Sequence, residues 1–273
     1  MHSYTLHLSG FGESWGFQEY GEHHAFEQVA TFKDLVDIAV EVGLDVLHIT
    51  LVDIQNDTSD AHLAECRKIA EEAGIELELN VSFNAPSDPR VNCDVENSLH
   101  IARKLGCNLV KYSTDVEHPE KSSHSCLAPS VMKQLVEIYG QFEKNLPLIE
   151  KYGMKIAIEN HCDLFADEVI WLVKQLNHPL VGACCDTINS LMVMEGIAEC
   201  VRKMAPYCYC VHFCDNRVFA DPDGTHSLGT AIGAGNVDCR AIMDILLMVW
   251  IPLTLKLNCL FPVIRLKKAV RWN

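Results

Sequence analysis

The sequence is poor in positive charge and has no long uninterrupted apolar run. Lys and Arg together number 22 against 37 Asp and Glu, which gives a formal net charge of -15. Sequence-independent binding of nucleic acid draws on clustered Lys and Arg, so we expect no nucleic-acid partner. The most apolar stretch, Ile242 to Leu257, is interrupted by Asp244, Pro252 and Lys256 and is too short to span a bilayer. We therefore expect no membrane protein either.

Signals for export and for a disulfide framework are also missing. The first residues contain no positively charged segment followed by an apolar core, so no signal peptide is predicted. The 13 cysteines are odd in number and irregularly spaced. Several lie in apolar, strand-like runs, namely Cys184, Cys185, Cys208 and Cys210. Because reduced thiols buried as small hydrophobic groups fit this pattern better than disulfides, we expect a cytoplasmic protein.

A repeated phrase organises the chain: a helical segment, a glycine, then a short apolar strand. The glycines of four such phrases are Gly43, Gly74, Gly106 and Gly153. A left-handed glycine at this position ends a helix and turns the chain into the next strand. Strands that alternate with helices in this way predict a parallel sheet.

The strand pattern favours a closed barrel over an open sheet. Strands are predicted near residues 4–8, 45–51, 75–82, 107–113, 154–160, 180–186 and 208–214. An open doubly wound sheet usually has a G-x-G-x-x-G loop after its first strand, and residues 9–14 lack that pattern. We therefore predict an α/β fold, a (β/α)8 TIM barrel in a single domain over residues 1–273, with the eighth strand near residues 252–258.

Helix starts and loops support this division of the chain. Thr31 to Asp34 predicts a helix start, and Pro129 begins a long amphipathic run toward Pro147. The longer loops cover residues 84–92, 114–128 and 216–235, and each follows a predicted strand. We expect these loops to form lids or walls of a site.

The C-terminal segment, about residues 245–273, has a different composition from the rest. It contains no acidic residue, and its basic residues are Lys256, Arg265, Lys267, Lys268 and Arg271. This shift predicts either an interaction tail or an atypical, incomplete eighth β/α unit.

Three apolar runs end at residues that can carry chemistry, Glu159, Asp186 and His212. We expect them to share one site, because successive barrel strands deliver their C-terminal ends to the same face. Two carboxylates and an imidazole suit a divalent ion such as Mn²⁺, Mg²⁺, Co²⁺ or Zn²⁺. Each residue also has a structural alternative: a salt bridge to a helix for Glu159, a helix cap for Asp186, and a core position for His212.

Four motifs occur in order along the chain. They are Ile156-Ala-Ile-Glu-Asn-His161, Val181-Gly-x-x-x-Asp186-Thr-x-Asn189, Val211-His-x-x-Asp215 and Gly233-x-Gly235-x-Val237-Asp238. The set resembles the sugar phosphate isomerase/epimerase family, whose fold is the xylose isomerase-like TIM barrel, and the resemblance covers about residues 35–245. It implies that Glu159 is both a metal ligand and an acid/base, and that Asp186 and His212 are metal ligands.

Further residues are candidates for binding the substrate. Arg217 lies where epimerase-like members of the family use an arginine to hold substrate oxygens, and its fork of donors suits vicinal hydroxyls or a phosphate. His48, His161 and Lys111 are candidates for the substrate wall, with core or surface positions as the alternative. Trp15 is placed to stack on an apolar face of a sugar or simply to pack.

The eighth strand departs from the family pattern. Family members present a glutamate there, in a phrase like Gly-Pro-Leu-Thr-Leu-Glu, as a fourth ligand and second acid/base. This chain has Pro252-Leu-Thr-Leu-Lys256, and no glutamate follows Glu199. A protonated lysine cannot ligate a metal ion and would repel it.

The leading hypothesis is a metal-dependent isomerase or epimerase of a ketose, keto-sugar or sugar phosphate. It would abstract a proton next to the carbonyl, with activity impaired by the missing eighth-strand glutamate. One alternative is a keto-sugar or inosose dehydratase, a lyase, because one base suffices to start elimination. The other is a non-catalytic sugar-binding barrel. The expected partner is a small sugar or sugar phosphate; its identity, and whether the chain forms a homo-oligomer, stay open.

Overall fold

The structure is a computed structural model. It describes residues 4–7, 17–19, 22–24, 31–85, 89–118, 125–222, 224–249 and 254–257. For residues 4–24 and 254–257 the description is of the backbone alone.

The described residues contain strands and helices in alternation. The strands are β1 (Tyr4–His7), β2 (Phe17–Glu19), β3 (Glu22–His24), β4 (Val46–Ile49), β5 (Glu76–Ser82), β6 (Leu109–Ser113), β7 (Lys155–Glu159), β8 (Val181–Asp186), β9 (Cys208–Phe213), β10 (Asp215–Asp221), β11 (Gly224–Thr230) and β12 (Thr254–Leu257). The helices are α1 (Phe32–Val42), α2 (Asp60–Ala73), α3 (Val95–Leu105), α4 (Pro129–Glu143), α5 (Leu146–Tyr152), α6 (Ala166–Leu176), α7 (Ile197–Met204) and α8 (Cys239–Met248).

Eight parallel strands close into a barrel in the order β1, β12, β9, β8, β7, β6, β5, β4. This confirms the predicted TIM barrel and the place of its eighth strand. Backbone pairing puts Lys256 in register with Thr5 on one side and with His212 on the other. That residues 1–273 form a single domain stays a prediction.

Local signals in the sequence set the ends of the helices. Gly43, Gly74, Gly106 and Gly153 end α1, α2, α3 and α5 with left-handed backbones, as expected. Thr31 caps α1 with a complete capping box: its side chain accepts from the backbone of Asp34, whose carboxylate accepts from the backbone of Thr31. These caps satisfy backbone groups that would otherwise lack partners at the helix ends.

Side chains of the barrel strands alternate between two environments. The outward-facing residues pack against the helices in one large core that includes Val110, Ile156 and Ile158. The inward-facing residues include a small cluster of Leu109, Ala157, Cys184 and Cys210, with Tyr209 packed against it. Because side chains alternate along a strand, the residues two positions after Ala157, Cys184 and Cys210 also face inward. Those residues are the site candidates Glu159, Asp186 and His212.

Two expectations about irregular segments need correction. Residues 216–235 were expected to be a loop, but β10 and β11 form an antiparallel hairpin there, with Asp215 paired to Thr230. The exposed hairpin alternates too weakly in polarity to stand out from a polar loop. The long run from Pro129 is two helices, because α4 ends at Glu143 and α5 begins at Leu146. The loops at 84–92 and 114–128 do follow strands.

In the described part of the chain none of the 12 cysteines forms a disulfide, and most of them are buried. In the same residues, no helix combines the length and apolarity needed to cross a membrane.

Gly182 in β8 provides a test of the packing inside the barrel. A Cβ at this position would lie 2.6 Å from the Tyr207 carbonyl oxygen and 2.7 Å from the Tyr209 ring. We expect Gly182→Ala to destabilise the protein by about 1–3 kcal/mol, the usual cost of overpacking. Urea denaturation followed by circular dichroism would measure the change.

The matched control is Gly140→Ala in α4, where an added Cβ meets no atom within 4 Å. This variant should be stabilised by about 0.5–1 kcal/mol, because alanine is the better helix former. Equal effects of the two substitutions would contradict the close contact at Gly182.

Candidate active site

A β-bulge in β9 brings His212 into the barrel. Ala183 pairs with Cys208, but Cys184 pairs with Cys210, so Tyr209 is the extra residue. The shift puts Asp186 in register with His212. Without the bulge, Asp186 would pair with Val211, and His212 would leave the inner face. The bulge therefore decides which side chain of β9 reaches the site.

The structure brings Glu159, Asp186 and His212 together, as the sequence predicts. All three side chains are buried. His212 Nδ1 lies 2.5 Å from Glu159 Oε1 and 3.8 Å from Asp186 Oδ2. The imidazole therefore stands between the two carboxylates, nearer to Glu159.

Lys111 contacts the other oxygen of Glu159. Its ammonium group is buried, forms an ion pair with Glu159 Oε2 and donates to Ser113 Oγ at 2.8 Å. The Ser113 hydroxyl lies 3.1 Å from the same carboxylate oxygen. Burial by itself opposes ionisation, but the charges of Lys111 and His212 outweigh it and hold the pKa of Glu159 well below its usual range. Glu159 is therefore an ionised carboxylate in a buried position.

Asp186 has two functions at the end of β8. Its Oδ1 accepts from the backbone N–H groups of Ile188 at 2.9 Å and Asn189 at 3.2 Å, which is the capping role considered from the sequence. Its Oδ2 faces His212. Burial, and then the charge of Glu159, raise the pKa of Asp186 to about 7. Asp186 is thus a weaker acid than Glu159 in the same cluster.

His48 contributes a second imidazole to the inner face. It is buried, its ring stands edge-on to that of His212 at 5.3 Å between centroids, and its Nδ1 lies 3.5 Å from Glu78 Oε2. The structure thus joins His48 to the cluster through His212.

His161 lies at the rim of the cluster. Its side chain is 43% exposed, and its Nδ1 lies 3.4 Å from Asp115 Oδ1. Burial would lower the pKa of His161, but the hydrogen bond to Asp115 and the charge of Glu159 raise it. These two partners therefore favour the protonated form of His161.

Two predicted substrate residues are not part of this cluster. Arg217 is exposed on β10, and among the described residues no hydrogen bond or ion pair joins it to Glu159, Asp186 or His212. Trp15 lies outside the described residues. His226, on the same exposed hairpin as Arg217, forms a hydrogen bond with Asp221 at 2.9 Å.

Sequence reasoning missed the function of Asp215. This buried carboxylate accepts backbone hydrogen bonds from Gly233 at 2.9 Å, Gly235 at 2.8 Å and Val237 at 3.2 Å. It therefore holds the segment after the hairpin against the end of β9. The sequence did contain a signal for this contact, because Asp215 and the Gly233-x-Gly235-x-Val237 motif occur together in it.

Asp163 anchors the loop that follows β6. Its Oδ2 accepts from Val116 N at 2.6 Å and from Thr114 Oγ1 at 3.0 Å. Among the described residues its buried Oδ1 has no hydrogen-bond partner. Burial raises the pKa of Asp163 to about 7, against the lowering effect of the Val116 N–H.

The donor set around Glu159 is compatible with a divalent ion. Glu159, His212 and the thiol of Cys184 each offer a ligand atom, and these atoms lie within 4.8 Å of one another. Asp186 Oδ2 is next to them, 3.8 Å from His212 Nδ1. The Lys111 ammonium group, which contacts Glu159, would repel such an ion and compete with it for this carboxylate. Carboxylate, imidazole and thiol groups are ordinary ligands of divalent metals.

The fold is that of a xylose isomerase-like TIM barrel. The family model described as the xylose isomerase-like TIM barrel matches residues 36–249. The chain belongs to this family, which confirms the family resemblance found in the motifs.

Individual relatives are distant. The uncharacterised protein YihM of Escherichia coli is 23% identical over 214 residues, which are 77% of this chain. This chain spans 60% of the length of YihM.

The structure resembles several solved barrels. The IolI protein with a bound zinc atom has a TM-score of 0.68 and 17% identity, over 95% of this chain and 90% of that one. D-psicose 3-epimerase of Clostridium cellulolyticum, solved with D-tagatose, has a TM-score of 0.66 and 16% identity, over 94% and 85%. The probable 3-DHS dehydratase AsbF of Bacillus anthracis has a TM-score of 0.65 and 13% identity, over 94% and 92%. At these identities the likeness establishes the fold alone.

Lys111→Met tests the ion pair in the barrel. It would leave the Glu159 carboxylate buried without its ammonium partner, and we expect a loss of about 3–5 kcal/mol in the free energy of unfolding. The double variant Lys111→Met/Glu159→Gln removes both charges and should recover a large part of that loss. Urea denaturation of the metal-free proteins measures both. A loss below about 1 kcal/mol for Lys111→Met, the range of an exposed pair, would contradict a buried pair.

Asp163→Asn tests the raised pKa of Asp163. The native state holds a proton on this group up to about pH 7, whereas the unfolded chain releases it near its ordinary pKa of about 4. The native state therefore binds more protons in this interval, and Asp163 costs stability as the pH rises from about 4 to 7. Asparagine resembles the protonated acid, so the variant should gain stability relative to the wild type over that interval. Urea denaturation at both ends checks this; a wild-type advantage that grows with pH would contradict it.

Proposed function

We propose that the chain is a metal-dependent isomerase or epimerase that acts on a ketose, keto-sugar or sugar phosphate by moving a proton next to the carbonyl. The observation that carries the proposal is the convergence of Glu159, Asp186 and His212 on one inner face. Glu159, Asp186 and His212, with Cys184 close by, are the residues that would hold the ion. The proposed setting is the cytoplasm, with no membrane or nucleic-acid partner.

Glu159 is the proposed base. Lys111 and His212 keep it ionised, so it can accept a proton, and burial keeps competing water away. A bound divalent ion would supply polarisation of the substrate carbonyl, which acidifies the neighbouring C–H. Lys111, already bonded to Glu159, is placed to stabilise the carboxylate before transfer and to donate to a substrate oxygen afterwards. Glu159 would then return the proton.

His48, His161 and Arg217 are the proposed substrate-binding residues. His48 stands beside His212 on the inner face, and the side chain of His161 is partly exposed. Arg217 lies on the exposed hairpin β10–β11, so its contribution requires that the substrate extend toward that hairpin. For Trp15 the proposed role is the one predicted from the sequence, stacking on an apolar face of the sugar.

The eighth strand supports a second candidate, a dehydratase of a keto-sugar. Lys256 is in register with His212, where the family pattern has its second acid/base. One base is enough to start an elimination from an activated ketone, and AsbF, a probable dehydratase, shares the fold. The third candidate is a non-catalytic sugar-binding barrel, because Lys256 stands where the family pattern has its second acid/base.

Solvent exchange tests the proposal directly. The purified protein, loaded with Mn²⁺ or Co²⁺, is incubated with D-tagatose or D-fructose in D₂O, and deuterium beside the carbonyl is followed by NMR. We expect incorporation into an isomeric sugar, and a loss of at least about 100-fold for Glu159→Gln, the scale of general-base catalysis. The matched control is Glu150→Gln, on the exposed side chain that pairs with His178, which should leave the rate unchanged.

Other outcomes separate the alternatives. An unsaturated product without an isomer would support the dehydratase, and sugar binding without exchange would support the non-catalytic barrel. No bound ion, and no protection from heat by Mn²⁺ or Co²⁺, would overturn the metal part. If Lys256→Glu creates metal binding that the wild type lacks, the site is that of a lapsed enzyme.

A further inference from the structure

A cavity of about 500 Å³ lies beside the C-terminal ends of β5 and β6, against one face of α4. Its lining includes Phe83 and Thr114, which directly follow these two strands. Glu159, Asp186 and His212 do not line it. The volume is within the range of about 300–1,000 Å³ that is usual for small-molecule sites. The cavity is therefore large enough for a small ligand and separate from the proposed metal site.

Two amide side chains hold the loops that form the walls of this cavity. Asn92 Oδ1 accepts from Ala85 N at 2.7 Å in the segment after β5. Gln134 Oε1 accepts from Glu117 N at 2.9 Å, and Gln134 Nε2 donates to Glu117 O at 2.6 Å, so α4 is tied to the segment after β6. Because internal hydrogen bonds fix the walls, a ligand does not have to order them when it binds.

Phe83 gives the cavity an aromatic wall. Its side chain is partly buried, and its ring centroid lies 5.5 Å from that of Tyr112 and 5.5 Å from that of Phe142. Tyr112 and Phe142 are fully buried, and their centroids are 5.1 Å apart. These two rings hold Phe83 in place. A fixed aromatic ring in a polar cavity suits a ligand that has one apolar face, such as the C–H face of a sugar ring.

Three polar side chains in the lining are free to bind a ligand. They are Asn84, after β5, and Glu137 and Gln141, which are four residues apart and so lie on one face of α4. No hydrogen bond joins any of these side chains to another described residue. A carboxylate accepts hydrogen bonds, and an amide both donates and accepts, so the set matches the hydroxyl groups of a sugar. An apolar ligand would bury these groups without partners.

The charge of the cavity excludes an anionic ligand. Its lining contains the carboxylates of Asp94, Asp115 and Glu137, and the described lining residues include no Lys, Arg or His. The nearby His161 has its Nδ1 3.4 Å from Asp115 Oδ1, and a single protonated imidazole would offset only one of the three negative charges. A phosphate or carboxylate group would therefore be repelled.

We propose that this cavity is a binding site for an uncharged sugar ring, separate from the inner-face cluster. Phe83 stacks on the apolar face of the ring, while Asn84, Glu137 and Gln141 bind its hydroxyl groups. The inference does not depend on the proposed reaction, because none of these four residues belongs to the cluster around Glu159.

Methyl glycosides test this site apart from any reaction. Their anomeric carbon is blocked, so the ring cannot open to a carbonyl form that an isomerase could use. Metal-free protein is titrated with the methyl glycosides of glucose, galactose and mannose, and binding is measured by saturation-transfer NMR. We expect at least one of them to bind. The corresponding methyl glycuronide, which adds a carboxylate, should bind at least about 10-fold more weakly because the lining is acidic.

Two variants change the lining of the cavity. Glu137→Ala should weaken binding about 10-fold, the effect of one hydrogen bond to a charged group. Phe83→Leu keeps an apolar side chain but removes the ring, and should weaken binding about 5-fold. The matched control is Glu143→Ala, which changes an exposed glutamate of α4 outside the lining and should leave binding unchanged. Circular dichroism verifies that each variant is folded.

Glu159→Gln separates this site from the inner cluster and should bind the methyl glycoside as the wild type does. Binding that is lost in Glu159→Gln but kept in Glu137→Ala would put the sugar in the inner cluster and overturn the inference. Failure of all three glycosides to bind, or equal binding of the glycuronide, would also overturn it. Each of these results leaves the proposed function standing, because deuterium exchange decides that separately.

Discussion

Glu159 is a buried carboxylate whose pKa is held well below its usual range, and its neighbours on the inner face of the barrel account for that. An isolated buried charge is very unfavourable, so its neighbours have to supply compensation. Lys111 pairs with one oxygen and His212 contacts the other. Asp186 shares His212 but has no ammonium partner among the described residues, and its pKa is instead raised to about 7. Both carboxylates are buried, yet the pKa of Glu159 is lowered and the pKa of Asp186 is raised.

The outer parts of the barrel serve to keep this network in place. The bulge at Tyr209 turns His212 inward, and Asp215 fixes the chain after β9 by three backbone hydrogen bonds. Asp163 ties the loop after β6 to the end of β7. These contacts lie in loops and strand ends, whereas the apolar core holds the strands against the helices. The chemistry is therefore positioned by polar contacts on a scaffold that packing makes rigid.

Much of the fold follows from local pattern. The four left-handed glycines, the Thr31 capping box and the apolar strand runs each act within a few residues, so their positions can be predicted without knowing the fold. The candidate site could also be predicted from the sequence, because parallel strands deliver their C-terminal ends to one face of the barrel. Lys111, His48 and Arg217 were all candidates for binding the substrate from the sequence, yet only the first two join the cluster, and Arg217 lies exposed on the hairpin.

The sequence by itself determined the parallel barrel, the family and the trio Glu159, Asp186 and His212, because periodicity, helix ends and motif order are properties of short segments. Tertiary structure alone decided three further features: the β10–β11 hairpin, the ion pair between Lys111 and Glu159, and the approach of Cys184 to Glu159 and His212. Each depends on strand register around the closed barrel, and one extra residue in β9 is enough to change which side chains face inward. Register is set by packing between distant segments, which no local pattern contains.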